Sequence, residues 1–289
     1  MLPRCLPLPP QRPVLPTSLE HLEFMLTDDG SRTLRDRRLN ETYHSGCGAL
    51  SECIHVYLRN SGIETLLQQS AKNDNATEET TQAPHVVRVL EFGFGTGMAA
   101  LLTLAAAQVY RSQLEYVSLE RDLLPRAVLD QMVVAQAVDL AIQRGQLPAE
   151  YSVMTELEQA WLDFRSQLPT VVTHGEYVWS VAEHIRLRLI VGDAVDFAAG
   201  RNRLQPALTA ESTGTYDAIY LDAFSPATNP ELWSPEVFTR LKTSLAPDGL
   251  LVSYCVSGQV RRGLQQAGFE VMRLPGPPGG KREVLAARA

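Results

Sequence analysis

Short apolar runs alternate along the chain with segments of helical periodicity, and this pattern predicts strands that alternate with helices. Five of the seven residues from Val86 to Phe92 are apolar, which is typical of a parallel strand that is buried on both faces. Three glycines follow, and the small apolar residues from Met98 to Val109 then predict a buried helix. The unit is therefore a strand, a glycine turn and a helix.

Further strands and helices follow this unit in the same alternation. The apolar patterns predict strands at 114–119, 185–191, 216–221, 250–255, 269–274 and 282–286. Helices are predicted at 126–143, 157–164, 235–245 and 259–267. The last two strands are expected to pair as a hairpin. The pattern as a whole predicts an α/β fold, Rossmann-like, with a doubly wound sheet of seven strands.

The ends of this pattern predict three regions. Six prolines within residues 1–16 predict a disordered tail. A short hairpin and a helix from about Ala49 predict an N-terminal extension at 17–61, which faces the substrate, and the Rossmann-like domain is expected at 62–289. Two polar segments interrupt the domain, and we expect a helix end with a solvated linker at 66–84 and an irregular insertion at 201–214.

Composition is ordinary for a globular protein, with 45% hydrophobic and 20% charged residues. No apolar window is long enough to span a membrane, and prolines interrupt the N-terminus where a signal peptide needs an apolar run. The sequence therefore predicts a cytoplasmic protein without a membrane partner. The four cysteines have no disulfide spacing, and the group His44, Cys47, Cys53 and His55 fits no common zinc signature, so no metal site is predicted.

The formal net charge is −7, but the bases are unevenly distributed. Residues 259–289 carry six bases against two acids, and a second basic cluster comprises Arg32, Arg35, Arg37 and Arg38. A single charged run usually belongs to a solvated face. Two basic clusters that flank one site favour a nucleic-acid partner.

The glycine turn predicts a cofactor site. Gly93, Gly95 and Gly97 let a ligand approach the backbone at a helix N-terminus. Met98 stands where the dinucleotide fingerprint has its third glycine, and Glu91 precedes the turn. The resulting pattern E-x-G-x-G-x-G is typical of S-adenosylmethionine methyltransferases; the alternative is an ordinary strand-to-helix corner.

Acids at the ends of later strands extend this site. Glu120 ends the second strand, where it is placed to accept hydrogen bonds from the ribose hydroxyls, although a solvated strand-end acid is an alternative. Asp193 ends the third strand and is a candidate for the adenine amino group. All these strand ends are expected to converge on one crevice.

The segment 222–226 follows the fourth strand and resembles the loop with which amino methyltransferases hold a nitrogen nucleophile. Asp222 is predicted to accept the amine hydrogen bonds, to aim the nitrogen lone pair and to take up the proton. Phe224 is predicted to stack on the base or to face the cation that develops on nitrogen, with core packing as the alternative.

Three longer strings closely resemble one family. They are 222–233, with the spacing D-x-F-x-P-x-x-N-P-x-x-W, 259–269 and 280–283. Together with 27–31, 43–45 and 55–57, they resemble the tRNA 5-methylaminomethyl-2-thiouridine methyltransferase family, which comprises the methyltransferase half of bifunctional MnmC and stand-alone MnmD. The resemblance runs from about Leu19 to Leu285.

The resemblance implies a substrate and a set of residues. The substrate would be 5-aminomethyl-2-thiouridine at the wobble position of tRNA, methylated on its exocyclic amine, with Asp222 as the catalytic acid. Cofactor residues would be Tyr43, Glu91, Gly93, Gly95, Gly97, Met98, Glu120 and Asp193. Substrate-side residues would be Phe224, Asn229, Pro230, Trp233, Arg261, Arg262, Lys281 and Arg282, with the cationic side chains on phosphates. The FAD-dependent oxidase half is expected to be absent, so a separate enzyme would supply the aminomethyl group.

Three other interpretations remain. A polyamine synthase relative shares the fold and the acid after the fourth strand, but needs further acids near Asp222, where the sequence offers Glu231 and Glu236. Another small-amine methyltransferase is a closely related possibility. A non-catalytic tRNA-binding module would have lost the cofactor pattern, which is intact here.

Overall fold

A mixed sheet of eight strands forms the centre of the computed structural model, which describes residues 12–74, 85–169, 174–198 and 215–289. A second sheet of four strands lies at the N-terminal end. The strands, in chain order, are β1 (Val14–Pro16), β2 (Leu22–Leu26), β3 (Arg32–Asp36), β4 (Glu41–Thr42), β5 (Val87–Phe92), β6 (Leu114–Glu120), β7 (Gly175–Ala182), β8 (Ile185–Val191), β9 (Tyr216–Leu221), β10 (Leu245–Ser253), β11 (Glu270–Pro275) and β12 (Glu283–Arg288).

The α-helices of the described residues are α1 (Ala49–Glu52), α2 (Ile63–Asp74), α3 (Met98–Tyr110), α4 (Arg126–Leu129), α5 (Val134–Gln143), α6 (Met154–Ser166), α7 (Ala194–Ala198), α8 (Pro235–Ser244) and α9 (Gly258–Gln266). A π-helical segment, Cys53–Arg59, continues α1, and two 3-10 turns lie at Ala149–Val153 and Pro230–Trp233. None of the described helices has the length and apolar composition needed to cross a membrane.

The order of the strands in the large sheet is β11-β12-β10-β9-β5-β6-β8-β7. The five strands from β10 to β8 in this order are parallel, and the strands outside them are antiparallel. The chain moves outward from β5 through β6 to β8 and then returns to the other side of β5 as β9. The two directions therefore diverge between β5 and β9, which is where such sheets bind ligands, outside the carboxyl ends of the strands.

Both faces of the large sheet are covered. On β5, Val87 and Val89 belong to one hydrophobic cluster with α3, whereas Leu90 and Phe92 belong to a second cluster with α8. A side chain of this size contributes about 1.5–3 kcal/mol when it is fully buried. Because successive side chains of a strand point to opposite faces, a nearly continuous apolar run is what this position requires.

The structure has the predicted Rossmann-like α/β class, and its large sheet has eight strands where seven were predicted. The extra strand is β7, an antiparallel edge strand. Trp179 is its one buried side chain, although its sequence, G-E-Y-V-W-S-V-A, has the aromatic and β-branched residues typical of a strand.

Three segments differ from their predictions. Residues 14–16 form β1 and pair with β2 instead of belonging to a disordered tail. Residues 66–74 are helical, and Leu67 of α2 is fully buried, so this part of the predicted linker belongs to the core. The predicted helix at 126–143 is interrupted at Val133, whose φ is +45°. The predictions for 1–11, 75–84 and 201–214 lie outside the described residues.

The N-terminal extension and the rest of the chain contribute to the same hydrophobic cluster. Phe24 and Leu34 from the small sheet belong to it, together with Leu58 of the π-helical segment and Leu104 of α3. The boundary at residues 61–62 stays a prediction. The shared core fixes the extension against the carboxyl edge of the large sheet, beside the ligand-binding position.

Candidate active site

A cavity of about 560 Å³ opens at the carboxyl edge of the parallel strands, between β5 and β9. The turn after β5, the end of β6 and the loops after β8 and β9 all contribute to its wall, and the small sheet covers it from the N-terminal side. A cavity of this size suits a small-molecule ligand. Among the residues that line it are Tyr43, Gly93, Gly95, Thr96, Glu120, Asp193, Asp222, Phe224, Asn229 and Tyr254.

The glycine turn brings the backbone of β5 close to the loop after β9. Gly93 has a φ of +96°, and a Cβ atom there would lie 2.7 Å from the carbonyl oxygen of Asp222. Gly95 has a φ of +51°, and its Cβ would lie 3.2 Å from the ring of Tyr43. The turn therefore needs glycine for its conformation and for its close contacts.

Glu120 fixes the glycine turn from the end of β6. Its carboxylate accepts hydrogen bonds from the backbone N–H groups of Gly95 and Asp122, each at 2.9 Å. Burial raises the pKa of Glu120 above its ordinary value, and these two N–H donors oppose that shift. A carboxylate offers about four lone-pair positions, so Glu120 keeps acceptor capacity for a ligand hydroxyl.

The hydroxyl of Thr96 is buried and finds no hydrogen-bond partner within the described part of the chain. Thr96 lies in the glycine turn and lines the cavity. An unpaired buried hydroxyl is costly unless a ligand or water satisfies it. The turn therefore has one polar group that a cofactor in the cavity can pair.

Two aromatic rings connect the cofactor side of the cavity to the loop after β9. The ring of Tyr43 packs edge-on against that of Phe224, with the centroids 5.0 Å apart. Burial and the nearby Glu120 carboxylate raise the pKa of Tyr43, which keeps its hydroxyl neutral. Edge-to-face packing of this kind stabilises both rings by about 0.5–1.5 kcal/mol beyond their burial.

Asp222 begins the loop after β9, and Tyr57 of the π-helical segment donates its hydroxyl hydrogen bond to Oδ1 of Asp222. Burial raises the pKa of the Asp222 carboxyl well above its ordinary value, and the Tyr57 hydroxyl opposes this shift. The negative charge of the buried Glu52 also raises the pKa of Asp222, and the positive charge of Lys281 lowers it. Asp222 is therefore a stronger base than an exposed aspartate.

Distant residues fix the rest of this loop. Glu41 accepts hydrogen bonds from the backbone N–H of Ser225 at 3.1 Å and from its hydroxyl at 2.5 Å, and Thr228 also donates to it. The indole N–H of Trp233 donates to the carbonyl oxygen of Phe224 at 2.9 Å. The loop is thus held rigidly between the small sheet and the 3-10 turn, a support that catalytic geometry requires.

Comparison with known proteins identifies the family of this chain. The model of the family described as S-adenosyl-L-methionine-dependent methyltransferase matches residues 155–289. The bifunctional protein MnmC (tRNA 5-methylaminomethyl-2-thiouridine biosynthesis) of Ralstonia nicotianae is 32% identical over 253 residues, and that of an Azoarcus species is 32% identical over 279 residues. The chain belongs to the MnmC methyltransferase domain family.

These matches cover most of this chain but a minor part of each relative. They span 86% and 96% of the chain, but only 32% and 36% of the respective relatives, so the chain spans about a third of their length. A crystal structure of MnmC2 from Aquifex aeolicus has a TM-score of 0.62 and 24% identity, and the match covers 98% of this chain and 72% of that one. The structural likeness establishes the fold.

In this member of the MnmC methyltransferase domain family, eight of the predicted site residues gather at the cavity. They are Tyr43, Gly93, Gly95, Glu120, Asp193, Asp222, Phe224 and Asn229. Asp193 is exposed and accepts a hydrogen bond from the backbone N–H of Val195 at 2.7 Å. The loops after four parallel strands supply most of this group, as the convergence of strand ends predicts.

Glu91 does not line the cavity, and its predicted role in the cofactor site stays a prediction. It is buried on the α3 side of the sheet and accepts a hydrogen bond of 2.5 Å from the hydroxyl of Ser118. Burial raises the pKa of Glu91 to about 8. Its neighbours Leu90 and Phe92 face the opposite cluster, so the strand alternation directs Glu91 into the protein.

Gly97 and Met98 also lie outside the cavity wall, and their cofactor role stays a prediction. Gly97 precedes the first residue of α3 with a φ of +78°, and a Cβ there would lie 2.7 Å from the Phe94 ring. Met98 is buried in the core. Both residues support the glycine turn on the side away from the cavity.

The predicted substrate residues that follow Asn229 in the chain do not line the cavity. Pro230 is exposed at the start of a 3-10 turn, and the buried Trp233 supports Phe224. The Lys281 ammonium lies 4.2 Å from the centroid of the Tyr254 ring, which does line the cavity. The other cationic side chains of this prediction are Arg261 and Arg262 on α9 and the exposed Arg282.

Sequence reasoning missed several residues of the site. Glu41, Tyr57 and Tyr254 were not predicted to belong to it, although all three contact the loop after β9. Thr96 had a local signal, since it stands between two glycines of the turn. The cavity also has Arg38 and Arg121 in its wall, and neither was among the predicted site residues.

Proposed function

We propose that this chain transfers a methyl group from S-adenosylmethionine to the exocyclic amine of 5-aminomethyl-2-thiouridine at the wobble position of tRNA, in the cytoplasm, to give 5-methylaminomethyl-2-thiouridine. The observation that carries the proposal is the position of Asp222, a half-buried base that lines the cavity and whose backbone contacts the glycine turn at Gly93. The names of the MnmC relatives support tRNA as the substrate. An earlier reaction must supply the primary amine.

The residues of the glycine turn fit the cofactor. Gly93 and Gly95 admit it close to the backbone, Glu120 would accept its ribose hydroxyls, and Asp193 would accept the adenine amino group. The unpaired hydroxyl of Thr96 is available to it. When bound, S-adenosylmethionine supplies an electrophilic methyl group on a sulfonium. The proposed methyl transfer needs neither a metal ion nor FAD.

Asp222 would prepare the amine for attack. An ammonium group has no free lone pair, so the amine must lose a proton before or during attack. The carboxylate of Asp222 accepts the N–H hydrogen bonds, which orients the lone pair, and its raised pKa suits it to hold the released proton. Phe224 and Tyr43 form the aromatic wall on which the base can stack.

Glu120→Gln is expected to weaken S-adenosylmethionine binding about tenfold to a hundredfold, because a charged acceptor of two hydroxyl hydrogen bonds is lost. The glutamine oxygen can still accept from Gly95, so the turn is retained. Isothermal titration calorimetry measures the change. Glu115→Gln on the same strand, which removes an ion pair with Arg88, is the matched control. Equal affinity in the two variants would remove Glu120 from the cofactor site.

Cationic side chains flank the cavity on two sides and would hold tRNA phosphates. Arg38 and Arg121 line the cavity, and Arg37 and Arg38 are each more than 60% exposed. On the other side, Lys281 packs on Tyr254 and α9 carries Arg261 and Arg262. The net charge of −7 therefore does not prevent a polyanion from reaching this edge.

The double variants Arg37→Glu/Arg38→Glu and Arg261→Glu/Arg262→Glu are each expected to raise the KM for tRNA about tenfold and to lower its salt dependence by about two phosphate contacts. The affinity for S-adenosylmethionine is expected to stay unchanged. The control is Arg186→Glu/Arg288→Glu, two exposed arginines at the opposite edge of the sheet. If the KM for tRNA of either double variant changes no more than that of the control, the two arginines of that variant do not hold tRNA phosphates.

A small polyamine is the second candidate acceptor. The sequence offered Glu231 and Glu236 as acids near Asp222, whereas the structure brings in two others. Glu52 influences the pKa of Asp222, and Glu41 holds the loop that follows it. Several carboxylates around a cavity suit a polycation.

The decisive experiment is tritium transfer from labelled S-adenosylmethionine, with tRNA from cells that lack this methylation and with polyamines as competing acceptors. Label that appears in tRNA and chromatographs, after nucleoside digestion, with 5-methylaminomethyl-2-thiouridine supports the proposal. Label in the polyamine fraction with none in tRNA would mean that the chain is a methyltransferase whose acceptor is a polyamine. Label in neither acceptor would overturn both functions.

A further inference from the structure

The π-helical segment Cys53–Arg59 lies directly against the site. The N–H of Asn60 donates to the carbonyl oxygen of His55, five residues earlier, at 3.1 Å. Such wide turns are rare and occur frequently at functional sites. The segment buries Tyr57 completely and directs its side chain towards the loop after β9.

Two contacts fix the Tyr57 side chain, and a third fixes its backbone. Its hydroxyl donates to Oδ1 of Asp222, its ring packs 5.3 Å from the ring of Tyr220, and its carbonyl oxygen accepts from the hydroxyl of Ser61. Tyr220 lies on β9, two residues before Asp222. The Tyr57 hydroxyl is thus held by β9, the strand at whose end the Asp222 carboxylate lies.

We propose that Tyr57 is a positioning residue for methyl transfer: its hydroxyl occupies one oxygen of Asp222 and leaves the other for the amine in the cavity. The inference rests on the proposed function and adds to it the residue that orients the base. A carboxylate on a loop has rotational freedom, and a fixed donor on one oxygen removes it. The buried hydroxyl does not itself reach the cavity wall.

The same hydrogen bond affects the ionisation of Asp222. Burial opposes the charged form, and a hydroxyl that donates to the carboxylate favours it. Loss of the Tyr57 hydroxyl therefore moves the pKa of Asp222 still higher. The other titratable or charged groups that act on Asp222 or respond to its charge are Glu52, Cys53, Glu91, Tyr254 and Lys281.

Tyr57→Phe tests the proposal with Tyr151→Phe as its matched control. Tyr151 is also fully buried and donates to a carboxylate, that of Glu64, at 3.1 Å, but it lies outside the cavity wall. We expect Tyr57→Phe to lower kcat at neutral pH about tenfold and to move the acidic limb of the kcat profile up by about one pH unit. Activity then recovers as the pH rises. KM values and the control variant stay within twofold of the unmodified chain.

Two further measurements separate this inference from the proposed function. Carbon-13 NMR of aspartate carboxyls, with Asp222→Asn for assignment, reports the pKa of Asp222 whether or not the chain methylates tRNA. It should rise in Tyr57→Phe and fall when 3-fluorotyrosine, a stronger donor, replaces Tyr57. An Asp222 titration and kcat profile that do not move in either variant would overturn the inference. Absence of methyl transfer by the unmodified chain would instead overturn the function.

Discussion

Asp222→Asn is expected to reduce the rate of methyl transfer about a hundredfold to ten-thousandfold, because an amide cannot take up the proton of the amine. The affinity for S-adenosylmethionine should change by no more than a few-fold. The asparagine oxygen can still accept from Tyr57, so the loop keeps its place. Single-turnover kinetics and calorimetry measure the two quantities.

A control at the cavity makes this result specific. Glu231→Gln also removes an acid from the cavity wall, but Glu231 is 46% exposed and its cationic neighbour, Arg121, lies 4.0 Å away. It should keep near-normal turnover. Asp222→Asn with the turnover of this control would mean that Asp222 takes no part in the reaction.

The pH dependence follows from the same group. Asp222 is a base only when it is ionised, and burial raises its pKa, so the rate should fall with decreasing pH at values well above the ordinary pKa of aspartate. Protonation of the amine acts in the same direction. Asp222→Asn should lose the first contribution and retain that of the amine.

Gly93→Ala is expected to abolish most of the activity through displacement of the loop that carries Asp222. The new Cβ would lie 2.7 Å from the carbonyl oxygen of Asp222. This backbone atom has little freedom to move, because Asp222 directly follows β9 and its N–H donates to the carbonyl oxygen of Phe92 at 3.0 Å. We expect a loss of turnover of at least about tenfold, since misplacement by about 1 Å can cost a hundredfold.

The strain of the backbone alone is measured in Gly62→Ala. Gly62 has a φ of +81°, close to the +96° of Gly93, but no heavy atom of the described residues lies within 4 Å of its Cβ position. Both variants lose about 1–2 kcal/mol of stability from the left-handed conformation. Thermal unfolding compares the stability, and equal turnover in the two would contradict the assigned contact between the glycine turn and Asp222.

Local sequence patterns predicted the parts of the site that come from consecutive strand ends. Gly93, Glu120 and Asp222 each follow an apolar run, and the rule that parallel strands end at one edge brings them together. The same alternation, applied more strictly, would have placed Glu91 inside the protein, because its neighbours face the other cluster. The assignment of Glu91 to the cofactor site followed the motif without the strand period, and it stays a prediction.

The missed residues depend on contacts that no local pattern contains. Tyr57 lies 165 residues from Asp222, and Glu41 lies 184 residues from Ser225. Their contacts arise because the N-terminal extension packs over the carboxyl edge of the sheet. Strand β7 was missed for a different reason: its aromatic and β-branched residues, G-E-Y-V-W-S-V-A, were a local strand signal that was overlooked.

The position of the transferred methyl group is the most direct test of the proposed reaction. The chain would react with deuteriomethyl-labelled S-adenosylmethionine and tRNA that carries 5-aminomethyl-2-thiouridine, and mass spectrometry would follow nucleoside digestion. We expect the label on the exocyclic nitrogen with the unmodified chain and its loss with Asp222→Asn. Label on the base, the ribose or another nucleoside would contradict the proposed reaction.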